Sequence, residues 1–241
     1  MSAIAPELAP RLAAVASQIP AGSRVADVGT DHGLLPLWLA ASGRAAYCLA
    51  TEKNPALLTR VRRAEAGTPW AKRLAYRAGD GLAAIRPEDR IDTVVLAGLG
   101  GRTIVRLLDV AGAPGPLVRR LVLQPRSEPA TVRRWLSAHG WRLVSERLFV
   151  APRRFHLTIA AELGDDADVY RDALLDRDDL FAAGPLLVRA AAPELALFLG
   201  SEKDRFDAIL ARPGSGSGKA RARSELARTL RLIEAISPRV G

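Results

Sequence analysis

Apolar positions along this chain recur in two periods. Leu8, Leu12, Val15, Ala16 and Ile19 repeat at helical spacing, and Pro20 and Gly22 close that stretch. Short β-rich runs then alternate with helical ones. Arg24–Val28 reads as a strand, and Leu34–Ala41 as the helix after it. Ala46–Thr51 is a second strand, followed by a helix over Pro55–Ala66 that Asn54-Pro55 opens, a capping residue before a proline. Leu74–Ala78, Thr93–Ala97 and Leu117–Leu123 continue the strands, with helices starting at Gly101 and spanning Glu128–Ala138. Trp141–Val150 and Phe155–Glu162 follow each other with no helix between them and form an antiparallel pair at one sheet edge. Strand–helix alternation of this kind dictates a parallel sheet with helices on both faces.

The character changes after Leu163, where β-rich runs stop. Leu180–Ala191 is apolar and broken by Gly184-Pro185. Pro193–Leu210 and Lys219–Ile236 are helical, joined by the Gly/Ser-rich link Pro213–Gly218, and read as an antiparallel hairpin. The predicted division is therefore an α/β domain over 1–163 and a helical part over 164–241.

Charge adds a functional constraint. The 241 residues include 35 Lys and Arg against 26 Asp and Glu, a formal net charge of +9. Such an excess attracts polyanions, and the last helix concentrates it in Lys219, Arg221, Arg223, Arg228 and Arg231. A chain rich in Ala and Arg throughout is the plainer account of the same numbers. Cys48 is the sole cysteine, so no intramolecular disulfide forms, and a reducing, cytoplasmic setting is expected. No signal peptide or membrane-length apolar run is read, and no Cys/His cluster suggests a metal.

The chemistry concentrates at strand ends. Val25-Ala26-Asp27-Val28-Gly29-Thr30-Asp31-His32-Gly33 spans the first strand-to-helix turn, where open parallel sheets bind ligands. Gly29 is expected to let the backbone approach a ligand where a Cβ would collide. Asp31 would repel a pyrophosphate, which argues against a dinucleotide, and would suit a cationic ligand such as the sulfonium of S-adenosylmethionine. Asp31 as a simple helix N-cap is the plainer alternative. Glu52, about 20 residues beyond the glycine turn, is placed to accept ribose hydroxyls. Asp80, in Gly79-Asp80-Gly81, is placed to accept from an adenine amino group. Ala97-Gly98-Leu99-Gly100-Gly101 ends the fourth strand and offers a glycine floor with room for a flat base. Gln124-Pro125-Arg126 follows the fifth strand; Gln124 could bond a base edge, and a loop with a rigid proline is the equally good plain reading. His139 reads as a surface residue and His156 as a structural one.

These residues resemble a known family, the bacterial tRNA (adenine-22-N1)-methyltransferases. The shared stretches are LAAVASQIPAGSRVADVGTDHGLLP (12–36), RAGDGLAAI (77–85), DTVVLAGLGG (92–101), LVLQP (121–125) and LFAAGPLLV (180–188). The resemblance implies a Rossmann-like, seven-stranded class I methyltransferase sheet with a small coiled-coil-like helical hairpin. It implies S-adenosyl-L-methionine as cofactor and tRNA as partner, with the chain acting as a monomer. Asp27, Gly29, Glu52, Asp80, Gly81 and Gly98 would line the cofactor site. Asp31 and His32 would face the transferred methyl, and Gln124, Arg126, Arg221, Arg223 and Arg228 would meet the RNA. One departure is Arg126, where the family carries Asn after Gln-Pro. Two other readings stay open: a class I methyltransferase for another RNA site or a small molecule, and a non-catalytic RNA-binding module with a retained cofactor pocket.

Overall fold

The computed structural model describes residues 7–30, 32–65, 67–110, 115, 117–152, 154–212 and 216–240. Seven strands form one sheet: β1 (Ser23–Val28), β2 (Ala45–Glu52), β3 (Leu74–Ala78), β4 (Thr93–Gly100), β5 (Arg120–Ser127), β6 (Trp141–Val150) and β7 (Phe155–Leu163). Their order is β3-β2-β1-β4-β5-β7-β6. The first five run parallel, and β7 and β6 reverse direction at the edge. Strand order reverses between β1 and β4, which opens a crevice at their carboxyl ends.

Helices α1 (Pro10–Ser17) and α2 (Leu34–Ala41) cover one face, packing Val15, Ile19, Leu35 and Leu39 on Val25, Cys48, Val95 and Val122. The alternate residues Ala26, Leu49, Val94, Leu96, Leu121 and Leu123 point to the other face. There they meet α4 (Gly101–Val110) and α5 (Pro129–Ala138), while α3 (Pro55–Glu65) packs on β2 and β3. Cys48 is fully buried, and burial pushes its thiol well up.

Two strands depart from the apolar pattern. β4 runs on to Gly100 because an irregularity at Gly98 lets pairing resume, with Leu99 opposite Pro125 and Gly100 opposite Ser127. That irregularity also accommodates Pro125, which has no N–H to donate to a regular ladder. β5 begins at Arg120 rather than Leu117, which is 48% exposed and contributes nothing to the sheet.

Beyond β7, the apolar run breaks at Gly184 into α6 (Arg177–Ala183) and α7 (Pro185–Arg189). α8 (Pro193–Ala211) and α9 (Ser217–Val240) pack along each other. α9 starts inside the stretch read as a link. Residues 213–215 of that stretch lie outside the described residues. Leu180, Leu187, Leu195, Leu199, Leu232 and Ile236 belong to the same core as β4 and β5, so one continuous core crosses residue 163. Among the described residues, no helix is long and apolar enough to cross a membrane.

Candidate functional site

Backbone hydrogen bonds lace three strand ends together. The N–H groups of Gly29 and Thr30 donate to the Thr51 carbonyl at 2.9 and 3.1 Å, and Gly79 N–H donates to Glu52 O at 3.1 Å. The turns after β1, β2 and β3 are therefore fixed relative to one another. A cavity of about 420 Å³ opens at the ends of β1 and β4, within the size range of small-molecule sites. Asp27, Gly29, His32, Gly98 and Arg126 line it, bringing together residues expected separately at the cofactor, the transferred methyl and the RNA.

Asp27 is 5% exposed and accepts the Thr30 hydroxyl proton at 2.6 Å. Burial raises its pKa from 3.8 to about 6, against the Thr30 hydrogen bond and the nearby Arg11 charge, which lower it. Gly29 and Gly98 hold φ of +77° and +76°. An added Cβ at Gly29 meets nothing within 4 Å. The left-handed backbone, rather than a collision inside the protein, is what requires glycine there. Gly33, also left-handed at φ +66°, occupies the N-cap position of α2. Asp31 lies outside the described residues.

Other expected residues sit elsewhere. Gln124 is 1% exposed, and its Oε1 accepts from Gly98 N–H at 3.0 Å and from Arg11 Nη1 at 3.1 Å. That carboxamide oxygen props the Gly98 turn from below. Glu52, Asp80 and Gly81 stand at adjoining strand ends, beyond the lining of this cavity. Glu52 Oε1 accepts the Asn54 N–H at 3.1 Å, and Asp80 pairs with Lys53 at 2.9 Å on the surface. Gly81, at φ +57°, has Leu107 Cδ2 2.6 Å from where a Cβ would stand. The open glycine floor needs a correction too. A Cβ at Gly101 would strike the backbone carbonyls of Ser127 and Glu128, so this glycine serves close packing of α4 on the β5–α5 loop.

Arg221, Arg223 and Arg228 lie on α9, away from the cavity. Arg221 and Arg223 are exposed. Arg228 is half-buried, with Nη1 3.3 Å from Glu225 and Nε 3.7 Å from Asp179, so its charge is largely used within the protein.

The cavity also holds residues that the sequence reading missed. Arg11 comes from α1, and Arg154 and His156 from β7 and the turn before it. The signal for Arg11 was a cation four residues before Val15, on the apolar stripe of its helix. His156 Nε2 is 2.6 Å from the Ala151 carbonyl, which only accepts, so that nitrogen carries a proton. His139 is exposed and stacks on Trp135, with ring centroids 4.1 Å apart. Among the described residues, no group of three His, Cys, Asp or Glu side chains could hold a metal ion.

A family model described as a methyltransferase domain matches residues 8–159. A tRNA (adenine(22)-N(1))-methyltransferase of Bacillus subtilis is 30% identical over 186 residues, covering 76% of each chain. The crystal structure of the B. subtilis M1A22 tRNA methyltransferase TrmK superposes with a TM-score of 0.83 at 26% identity, covering 95% of this chain and 99% of that one. M. capricolum TrmK, solved with S-adenosyl-homocysteine, shares the fold at a TM-score of 0.78 and 18% identity over 95% of this chain and 99% of its own. With its seven-stranded sheet, its crevice at the β1/β4 reversal and these relatives, the chain belongs to the tRNA (adenine(22)-N(1))-methyltransferase family.

Proposed function

We propose that this protein transfers a methyl group from S-adenosyl-L-methionine to N1 of an adenine in tRNA, adenine 22 of the D arm. The observation that carries the reading is the convergence of Asp27, Gly29, Thr30 and His32 with Ala97, Gly98 and Leu99 on one cavity, in a chain 30% identical to an enzyme of that name.

The residues present suit the cofactor. Asp27 and Arg11 place a carboxylate and a guanidinium in the same cavity wall, complementary to the ammonium and carboxylate of an amino-acid group. The left-handed Gly29 and Gly98 leave that wall without side chains at two points. Glu52 and Asp80, at the next two strand ends, would take the ribose hydroxyls and the adenine amino group. When bound, S-adenosyl-L-methionine supplies an electrophilic methyl on a positively charged sulfur.

Adenine N1 carries an in-plane lone pair, so no general base is needed to create the nucleophile. The protein's task is alignment and electrostatics. Asp31 is proposed to accept from the adenine N6 amino group and to favour the positive charge arriving on the ring. His32 and Arg126 line the same cavity and would bound the base. N1 lies on the pairing edge, so the nucleotide must be unpaired or flipped out, at about a few kcal/mol. Residues 1–163 would bind cofactor and base, and the helical part, 164–241, would hold the RNA backbone. A monomer working in the cytoplasm is part of the same proposal.

The test is methyl transfer from labelled S-adenosyl-L-methionine to bulk bacterial tRNA, with mass analysis of digested nucleosides. The expected product is 1-methyladenosine, lost on Asp31→Ala while the cofactor still binds. Another methylated nucleoside would overturn the substrate, and loss of cofactor binding in Asp31→Ala would make that residue part of the cofactor site.

A further inference from the structure

The methyl-transfer cavity does not end at Arg126. That residue also lines a second cavity, of about 460 Å³, between the end of β5, the β6–β7 hairpin and α8. Leu148, Leu157 and Leu187 give it an apolar wall. Phe155 from β7 and Phe198 from α8 meet edge to face in its lining, with centroids 5.4 Å apart at 75°. Both rings are only half-buried.

We propose that this second cavity receives the base of a nucleotide adjoining the methylated adenine. The assignment rests on the functional reading above. Three observations carry it. First, the wall is aromatic and apolar, with flat π-faces, which is how proteins hold unstacked bases of any sequence. Secondly, its charge suits a nucleic acid strand. Glu128 and Glu202 are each engaged by an arginine, Arg102 at 2.8 Å and Arg205 at 2.6 Å, and Arg133 is neutralised by Glu146. Arg126 is exposed and has no ion pair among the described residues. It is left to face a phosphate. Thirdly, the two cavities share Arg126, so a strand with one base in the first cavity passes this guanidinium on its way to the second. Extruding an adenine breaks its stacking on its neighbours, and a stacking site for one neighbour offsets part of that cost.

The experiment uses the full chain, a tRNA transcript, and two further transcripts with an abasic nucleotide on either side of the target adenine. Phe198→Ala should lower kcat/KM for tRNA by about 5- to 100-fold, chiefly through KM. Its cofactor affinity by calorimetry should match wild type. Phe198→Tyr, which keeps the ring, should restore most of the activity. One abasic transcript should cost the wild type a similar factor and cost Phe198→Ala nothing further. The proposal is overturned if the wild type methylates both abasic transcripts at full rate, or if the two losses multiply. It is also overturned if Phe198→Tyr is as poor as Phe198→Ala, since the residue would then only pack. A wild type that methylates no tRNA would bring down the functional reading itself, a result distinct from these.

Discussion

Asp27 and Arg11 share the wall of a cavity, and each residue makes a separate prediction. The Asp27 carboxyl has a folded pKa of about 6 against 3.8 for the free group, because burial strips its hydration. A carboxyl with a raised folded pKa favours folding while protonated, below about pH 4. That contribution is lost as pH rises through about 6. The difference corresponds to about 3 kcal/mol of destabilisation at neutral pH. Denaturant melts between pH 4 and 7.5 should therefore show Asp27→Asn gaining on wild type as pH rises, by up to about 3 kcal/mol. Cofactor affinity should move the opposite way and be weaker in the variant at pH 7.5. Equal pH slopes would contradict the burial argument. For Arg11→Ala, calorimetry should give about 10-fold or more weaker cofactor binding, the effect of removing one charge-assisted hydrogen bond. The variant also removes a donor to Gln124, so the Gly98 turn is left with one support fewer.

Among the elements, the α6–α7 corner depends most on a single arrangement. Arg133 on α5 and Glu146 on β6 form an ion pair at 2.7 Å, with side chains 1% and 0% exposed. Arg133 Nη1 donates to the Phe181 and Ala182 carbonyls, and Glu146 Oε2 accepts the Leu186 N–H at 3.0 Å. The pair thus binds the end of α6 and the start of α7 to the sheet. Gly184 lies over it at φ +97°, and a Cβ there would stand 2.6 Å from Arg133 Nη2. This geometry accounts for the LFAAGPLLV stretch in physical terms. Arg133→Met strands a buried carboxylate and should cost about 3–5 kcal/mol in urea unfolding. Arg133→Met combined with Glu146→Leu should recover much of that loss. If the double variant is no better than the single one, the pair's role is not electrostatic.

At the scale of the molecule, the basic helix α9 is tied down by much of its own charge. Lys219 Nζ donates to the Leu210 and Arg212 carbonyls, satisfying the end of α8. Arg231 pairs with Asp179 at 3.1 Å and Arg239 with Asp172 at 2.7 Å. Arg239 holds the Asp172 carboxyl well below the usual range. Arg221 and Arg223 remain exposed, with no ion pair among the described residues. Replacing both with Ala should raise KM for tRNA. It should also flatten the slope of log affinity against log salt, by about one for each phosphate no longer gripped. Stability should barely change. Arg231→Ala should instead loosen α9 from α6. An unchanged salt slope in the double variant would place the RNA path elsewhere.

The sequence by itself determined the sheet, since strand residues buried on both faces must be apolar throughout and the helices between them must carry one apolar stripe. Even the bounds of α2 and β3 were legible from that pattern. It also determined the acidic residues at three strand ends, because turn chemistry is local. Only the tertiary structure decided that Asp27 shares a wall with Arg11 while Glu52 and Asp80 stand beyond it. Arg11 is more than a hundred residues from Gln124, and no periodicity could announce a hydrogen bond made by chain crossing. Gln124 looked like a ligand for a base until the fold buried its oxygen under Gly98. The arginines of α9 looked alike in sequence. Asp172 and Asp179, brought against them by the packing of the helical segment, separated those that fasten the fold from those still free to meet a polyanion. Apolar periodicity is written residue by residue, whereas a charge acquires its role from whatever partner the fold brings within reach.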